Sequence, residues 1–241
     1  MSELKRADLV LVECGLTSTR SKASQLIDEA VVYWNGKLVK KAAEKINATN
    51  LEIRKEKQFV SRGAHKIEGA LQQFSIDVSG LVVADVGAST GGFTEYVLTK
   101  GASKVYAIDV GHDQLAEKLK QDSRVINLEG VNIKHPYQLP EEVDLAVVDL
   151  SFISLKLVLK NIFSLVKVKG KIVALVKPQF EVGRAGLDKN GIVKDEKLRE
   201  ETVSELKIWC SNEGMNVIGD CVSPITGKTG NVEYFFYFQK G

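Results

Sequence analysis

Residues 81–93 read LVVADVGASTGGF, and this stretch decides the fold class. The apolar, β-favouring run LVVADV passes directly into a glycine-rich segment, after which a helical pattern begins near Phe93. A strand, a glycine loop and a helix in direct succession are typical of the first turn of a parallel α/β sheet. Gly87, Gly91 and Gly92 carry no side chain, so the backbone there can approach a ligand at the start of the helix.

Further apolar runs follow, and helical patterns separate most of them. These runs are KVYAIDVG (104–111), RVINLEGVN (124–132), VDLAVVDLSF (143–152), GKIVALVKPQF (170–180), MNVIGDCVSPI (215–225) and NVEYFFYFQK (231–240). The alternation predicts a Rossmann-like α/β sheet of about seven strands, most of them parallel. Because only the turn-rich segment TGKTGN lies between the last two runs, we expect them to form a C-terminal antiparallel hairpin.

The first 60 residues show a different pattern. It predicts one helix around Arg6 to Cys14, a second around Ser18 to Glu29, and then two short strands about an Asn35-Gly36 turn. Residues 61–80 contain a linker and a lead-in helix. We therefore expect a small α+β domain over residues 1–60 and the α/β domain over residues 61–241.

The composition is that of a globular protein, with 241 residues of which 44% are hydrophobic and 27% charged. No apolar run approaches the length that crosses a membrane, and the N-terminus lacks the pattern of a signal peptide. A cytoplasmic protein without a membrane partner is expected. Cys14, Cys210 and Cys221 lie far apart, and the three histidines show no ligand spacing, so no metal site is predicted.

The glycine segment indicates a nucleoside ligand other than a dinucleotide. Its spacing is G-x-x-x-G-G, whereas dinucleotide enzymes use G-x-G-x-x-G to hold a pyrophosphate. Asp109 ends the second predicted strand, where its carboxylate can accept hydrogen bonds from two ribose hydroxyls, and Asp85 can reach a ligand amino group. Together they favour S-adenosylmethionine over the alternative of an ordinary α/β turn. The predicted cofactor residues are Asp85, Gly87, Ala88, Ser89, Gly91, Gly92, Phe93, Asp109 and Asn132.

Two charged residues close apolar strands, at the edge where open α/β sheets place their sites. Asp149 follows the fourth predicted strand and Lys177 the fifth, while Lys66 and Glu233 stand in partly apolar settings. Each alone is consistent with a strand-end cap, a snorkelling lysine or a solvated charge. Brought together, the four would form a device for deprotonating a weakly acidic hydroxyl.

The motifs DVGASTGGF, AIDVG, VVDLSF, VKPQFE and GNVEYFF, in this order, resemble the TlyA family of rRNA methyltransferases, which belongs to the FtsJ-like ribose methyltransferases. The segment KRADLVLVECGLTSTRSKASQLIDEAVVYWNGKLV is similar to the RNA-binding domain named after small-subunit ribosomal protein four. The resemblance covers nearly the whole chain. It implies a methyltransferase fold, S-adenosylmethionine as cofactor, and rRNA cytidine 2′-hydroxyls as acceptors.

The resemblance also implies a catalytic tetrad of Lys66, Asp149, Lys177 and Glu233, in which Lys177 is the best candidate for deprotonating or polarising the hydroxyl. Thr90 stands where the FtsJ pattern often has proline, a departure without a chemical consequence.

Four cations near the starts of the two N-terminal helices are candidates for contact with RNA phosphates. They are Lys5, Arg6, Arg20 and Lys22. The first 60 residues hold 11 Lys/Arg and 8 Asp/Glu, a slight excess that permits a ribosomal RNA or ribosomal subunit partner. Ordinary surface charge is the alternative for each cation taken singly.

Three other functions compete with RNA methylation. A membrane-active haemolysin would need a membrane-seeking segment, which the chain lacks. A non-catalytic RNA-binding or ribosome-assembly factor would not need the tetrad and would fail to bind S-adenosylmethionine. An NAD-dependent oxidoreductase is disfavoured by the glycine spacing.

Overall fold

The computed structural model describes residues 4–28, 31–53 and 59–241, apart from the side chain of Leu38. The chain divides into two compact units, residues 1–58 and 59–241.

The described residues of the N-terminal unit form two helices and five very short strands. They are β1 (Lys5–Arg6), α1 (Ala7–Glu13), α2 (Arg20–Asp28), β2 (Val32–Trp34), β3 (Lys37–Leu38), β4 (Lys45–Ile46) and β5 (Leu51–Ile53). Strand β1 pairs antiparallel with β4, and β2 lies between β3 and β5. The two helices bury Leu11 and Ile27 in a core shared with Val32 and Ile46.

Local chemistry places these elements close to their predicted positions. Helix α2 begins after Thr19, whose hydroxyl accepts a hydrogen bond from the Lys22 amide at 3.2 Å, as an N-cap residue does. Asn35 and Gly36 both have positive φ, 50° and 75°, which is the geometry of a two-residue hairpin turn. The predicted end of the second helix at Glu29 lies outside the described residues.

The second unit contains the large sheet. Its elements are α3 (Gly63–Gln73), β6 (Val82–Val86), α4 (Gly92–Thr99), β7 (Lys104–Ile108), α5 (Glu117–Lys120), β8 (Val125–Leu128), β9 (Val143–Val148), α6 (Leu159–Leu165), β10 (Val166–Val176), α7 (Pro178–Glu181), α8 (Glu196–Asn212), β11 (Val217–Val222) and β12 (Tyr234–Gln239), with single 3-10 turns at Leu155–Leu157 and Arg184–Gly186.

The seven strands lie in the order β11-β12-β10-β9-β6-β7-β8. Strands β8, β7, β6, β9 and β10 are parallel, whereas β12 pairs antiparallel with both β10 and β11. The expectation of a mostly parallel sheet with an antiparallel C-terminal hairpin is confirmed. Strand β12, the last in the chain, lies between β10 and β11, so the penultimate strand β11 forms the edge of the sheet.

Two apolar layers cover the sheet and fix its strand ends. One layer packs α6 and α8 against one face, with Tyr106 and Phe236 in its interior. The other packs α3 and α4 against the opposite face around Ile67 and Phe235. Because five strands are parallel, their carboxyl ends meet at one edge of the sheet, where a site is expected.

Candidate functional site

Two adjoining cavities open at the carboxyl ends of the parallel strands. The first has a volume of about 480 Å³ and lies between the β6–α4 loop, the start of α3 and the ends of β9 and β10. The second has a volume of about 460 Å³ and lies over the ends of β6, β7 and β9. Gly87, Ser89, Asp149 and Ser151 line both cavities, so a ligand can extend from one into the other.

The glycine loop is shaped by close contacts that side chains would prevent. Gly87 has φ 90°, and a side chain there would collide with the backbone carbonyl oxygen of Asp149, so only glycine lets the β6 loop touch the end of β9. Gly91, at φ 95°, packs against the side chain of Leu119. It lines neither cavity, so its contribution is to the turn, and the sequence pattern alone did not distinguish the two glycines.

Asp85 is the most buried charged residue of the site. It is 0% exposed, and its Oδ2 accepts hydrogen bonds from the backbone amide and the hydroxyl of Thr94, at 2.8 and 2.7 Å. Its Oδ1 is buried and receives no hydrogen bond from the described residues. Burial raises the pKa of Asp85 to about 7, although the Thr94 hydrogen bonds oppose the rise. The residue lines the first cavity and has capacity for one more donor.

The second cavity combines one carboxylate with an apolar lining. Asp109 accepts hydrogen bonds from the amide of Ser89 at 2.8 Å and from that of Gly111 at 2.7 Å, so both carboxylate oxygens are oriented by backbone. Asn132 lines the same cavity, as do the apolar side chains of Val86, Ile108, Val131, Ile133, Leu150 and Ile153. This is the usual make-up of a pocket for a flat, partly polar ligand.

Lys177 lines the first cavity and contacts Asp149 and Ser151, which line both cavities. Its side chain is 9% exposed, and its Nζ lies 2.5 Å from Asp149 Oδ1. The same nitrogen donates a hydrogen bond to Ser151 Oγ at 2.8 Å. Lysine and aspartate follow adjacent parallel strands, β10 and β9, so the sheet itself sets their separation.

Lys66 and Glu233 form a second buried pair. Nζ of Lys66 lies 2.7 Å from Glu233 Oε2, and Gln179 donates a weaker hydrogen bond to Glu233 Oε1 at 3.3 Å. Lys66 lines the first cavity, but Glu233 lines neither. The structure therefore brings the four residues together as two ion pairs, with Glu233 behind Lys66.

Several residues around the cavities carry no motif that reveals their contacts. Thr94, Ser151 and Gln179 contact the charged groups directly, while Arg62 and Lys228 line the first cavity. Ser151 does stand inside the VVDLSF motif that marks Asp149, but its bond to Lys177 depends on the pairing of two strands. Ala88 and Phe93, both predicted, also line the first cavity.

Three of the four N-terminal cations are engaged in ion pairs. Asp8 is 2% exposed and lies 3.0 Å from Arg6 and 2.7 Å from Arg20. Lys5 lies 3.0 Å from Glu13. The Lys22 side chain is exposed. The guanidinium groups remain partly exposed, at 41% and 58% for the two arginine side chains, so they stabilise the N-terminal unit while still facing solvent.

No helix in residues 4–28, 31–53 or 59–241 has both the length and the apolarity to span a bilayer. Over those same ranges there is no group of three or more His, Cys, Asp and Glu side chains arranged to hold a metal ion.

Known proteins resemble the chain along its whole length. The model of the FtsJ-like methyltransferase family matches residues 59–240. A Mycobacterium tuberculosis protein named 16S/23S rRNA (cytidine-2′-O)-methyltransferase TlyA is 42% identical over 99% of this chain and 91% of its own length. Hemolysin A of Brachyspira hyodysenteriae is 40% identical over 93% of this chain and 95% of its own length.

A solved structure from Streptococcus thermophilus, named a candidate hemolysin, superposes with a TM-score of 0.74 at 37% identity, covering 100% of this chain and 90% of that one. Haemolysis and rRNA methylation thus both occur among the names of its relatives. The sheet order, the glycine loop and the family match agree with one another, and the chain belongs to the FtsJ-like methyltransferase family, within the group that includes the TlyA rRNA methyltransferases.

Proposed function

We propose that the protein transfers a methyl group from S-adenosylmethionine to a ribose 2′-hydroxyl of ribosomal RNA, with cytidine as the acceptor nucleoside. The observation that carries the proposal is Lys177, held by Asp149 and Ser151 in the first cavity, which is also lined by Asp85, whose buried Oδ1 has no donor among the described residues. The name of the Mycobacterium tuberculosis relative, which specifies cytidine-2′-O-methylation of rRNA, supports the choice of acceptor.

The site fits S-adenosylmethionine on the basis of its donors and acceptors. The buried Oδ1 of Asp85 lacks a donor, and a ligand ammonium group would supply one with a charge-assisted bond. Asp109 is oriented by two amides and keeps lone pairs for ribose hydroxyls. The apolar lining of the second cavity suits an adenine ring. Gly87, Ala88, Ser89, Gly92, Phe93 and Asn132 would complete the binding surface, with Gly91 shaping the loop.

Positioning is the main contribution of the protein to the proposed reaction. S-adenosylmethionine supplies a methyl group that is already activated on a positively charged sulfur. The acceptor 2′-oxygen must approach this carbon in line, form the new C–O bond as the C–S bond breaks, and give up its proton. Lys177 either receives the proton as a neutral amine, or polarises the hydroxyl as an ammonium while the proton passes to solvent, and Asp149 fixes the lysine. Holding two reactants in this geometry contributes roughly 7 to 11 kcal/mol in favourable cases.

Lys66 and Glu233 would act from the side of the first cavity. Lys66 lines the cavity and Glu233 neutralises it from behind, at 2.7 Å. A buried lysine without its carboxylate would be costly to fold, so Glu233 keeps a cation available to the acceptor nucleotide. This division of roles makes the second pair a binding element and the Lys177 pair the reactive one.

The N-terminal unit is proposed to bind the RNA. We assign residues 1–60 to the RNA-binding domain type of small-subunit ribosomal protein four, and residues 61–241 to the catalytic domain, with residues 61–80 as the connection. Lys5, Arg6, Arg20 and Lys22 would contact phosphates, since the side chains of the first three remain between 41% and 58% exposed despite their ion pairs. Ribosomal subunits or their rRNA are the proposed partners, and a cytoplasmic location follows from that choice.

The proposal is tested by incubating the protein with methyl-labelled S-adenosylmethionine and undermethylated ribosomal subunits. Modified positions are mapped as nuclease-resistant dinucleotides, because 2′-O-methylation blocks cleavage at the methylated ribose. The matched variant is Lys177→Met, whose unbranched side chain extends to the ε position and lacks the nitrogen. We expect label on a ribose 2′-oxygen with the native protein and at least a thousandfold slower transfer with the variant.

Two results would contradict the proposal in different ways. If calorimetry shows S-adenosylmethionine binding but neither subunit is labelled, the acceptor is a different molecule. If no S-adenosylmethionine binds, the chain is better described as an RNA-binding or ribosome-assembly factor. Lys156→Met, a change to an exposed lysine that lines neither cavity, is the control for nonspecific effects of losing a lysine.

A further inference from the structure

The Lys177 ammonium group has two polar contacts. A lysine ammonium carries three N–H donors, arranged tetrahedrally about a bond that rotates freely. Asp149 Oδ1 lies 2.5 Å from Nζ as an ion-pair partner without hydrogen-bond geometry, whereas Ser151 Oγ accepts a hydrogen bond from Nζ at 2.8 Å. Ser151 is therefore the acceptor that orients one N–H of Lys177, and this bond limits the directions of the other two.

Ser151 stands where those directions matter. It is an exposed residue that lines both cavities, and Lys177 lines the first of them. The other two positions on Nζ are therefore adjacent to the space where an acceptor hydroxyl would meet the cofactor. Among the four side chains of the predicted tetrad, only Asp149 also contacts Lys177.

The loop that carries Ser151 is held in a strained conformation. Phe152, the next residue, has φ 63°, a region that bulky side chains rarely adopt. Such a conformation persists only where the surroundings enforce it. Glu181 does so by accepting hydrogen bonds from Ser154 Oγ at 2.6 Å and from the Leu155 amide at 2.8 Å.

The same short segment thus holds both ends of the loop. Lys177 precedes helix α7 and bonds to Ser151, while Glu181 ends α7 and bonds to Ser154 and Leu155. The rings of Phe152 and Phe180 lie 5.1 Å apart between these points. Five links therefore join residues 149–155 to residues 177–181, counting the Asp149 pair, and Ser151 is fixed relative to Lys177.

We propose that Ser151 is a positioning residue, whose hydroxyl directs a free position of Lys177 Nζ toward the acceptor 2′-hydroxyl. This inference rests on the proposed function and adds Ser151 to the four residues of the predicted tetrad. Ser151 acts through Lys177, so its loss should slow the transfer step and leave the binding of both substrates intact.

The test compares Ser151→Ala, which removes the hydroxyl, with Ser151→Thr, which keeps it. Steady-state transfer to ribosomal subunits gives kcat and KM, and calorimetry gives the Kd for S-adenosylmethionine. We expect Ser151→Ala to lower kcat by roughly tenfold to a hundredfold, the effect of losing one hydrogen bond to a charged group. KM and Kd should stay within twofold, and Ser151→Thr should recover most of the native kcat.

Ser103→Ala is the matched control, because it removes an exposed hydroxyl that bonds to the Leu81 carbonyl, lines neither cavity and lies outside the loop that carries Ser151. It should keep kcat within about threefold of the native value. A native kcat in Ser151→Ala would overturn the inference. So would an equal loss in Ser103→Ala, which would make the loss nonspecific, or a Thr variant as slow as Ala with normal Kd, which would assign the loss to loop shape. If the native protein itself transfers no methyl group to any subunit, the proposed function fails first and the inference falls with it.

Discussion

Two buried carboxylates, one in each unit, have opposite electrostatic surroundings. Asp8 is 2% exposed and Asp85 is 0% exposed. Hydrogen bonds and charge from Arg6 and Arg20 lower the pKa of Asp8 to about 2 despite its burial. Asp85 has only the neutral donors of Thr94, and burial raises its pKa to about 7. Asp8, which is paired with two arginines, stabilises the fold. Asp85, whose Oδ1 lacks a donor, is suited to bind a cationic ligand.

The largest expected effect concerns Asp85→Asn. The amide cannot form the charge-assisted bond to a ligand ammonium group, so the Kd for S-adenosylmethionine should rise about a hundredfold, or about 2.7 kcal/mol. Calorimetry at pH 8 measures it. The unliganded variant should melt no lower than the native protein, because an ionised carboxylate is no longer buried. Asp113→Asn, at a carboxylate whose side chain is 94% exposed, is the control, and an unchanged Kd in Asp85→Asn would separate Asp85 from the ligand.

Asp8→Asn should act on stability alone. The pKa of Asp8 is depressed in the folded state, so its contribution is present above pH 4 and is lost as the pH falls toward 2. Allowing for the exposure of both arginines, we expect the N-terminal unit to lose about 2 kcal/mol at pH 7. Hydrogen exchange of the α1 amides reports it. At about pH 2 and below, the variant and the native protein should converge in stability. At every pH the two should have the same Kd for S-adenosylmethionine.

The affinity of the native protein for S-adenosylmethionine should itself depend on pH. The ligand ammonium requires an ionised Asp85, and the pKa of Asp85 is raised to about 7 in the free protein. Acid therefore competes with the ligand, and binding should be about tenfold weaker at pH 6 than at pH 8. A titration series by calorimetry shows the dependence. Asp85→Asn supplies the baseline, since any pH effect that survives in it comes from other groups.

The smallest expected effect is that of Thr94→Val. The change removes the hydroxyl bond to Asp85 Oδ2 and leaves the amide bond in place. Because both Thr94 bonds lower the pKa of Asp85, the pKa should rise further and the affinity for S-adenosylmethionine at pH 7 should fall about threefold. Thr99→Val, which removes a hydroxyl bonded to the Tyr96 carbonyl on the same helix, should leave the affinity unchanged. An equal loss of affinity in both variants would mean that the change acts through the stability of helix α4 and not through Asp85.

The fold was predictable because it depends on patterns that extend over many residues. Short apolar runs such as VDLAVV predict strands directly. Because parallel strands end at the same edge of a sheet, the same runs predict that Asp149 and Lys177 lie at one edge. Strands β1 and β4 have two residues each, too few to show a periodicity, so no pattern predicted them.

Contacts between residues far apart in sequence were not predictable in the same way. Ser151 and Lys177 are separated by 26 positions, and their bond depends on the register of β9 and β10. The pairing of Arg6 and Arg20 with one buried aspartate is similar, since counting charges cannot tell which side chain is enclosed. Gly87 and Gly91 look alike in sequence, yet only the first approaches the cavities.

The place of β12 in the sheet has a consequence for refolding. Val176 of β10 pairs with Tyr234 of β12, so Lys177 and Glu233, which flank this pair, reach the same end of the sheet only when that ladder is closed in register. Glu233 must also reach Lys66, which lies 167 positions earlier, and contacts of such separation are slow to form. After dilution from denaturant, helical signal and much of the parallel sheet should return before any catalytic turnover. The rate at which activity recovers therefore reports one event, the insertion of β12 between β10 and β11.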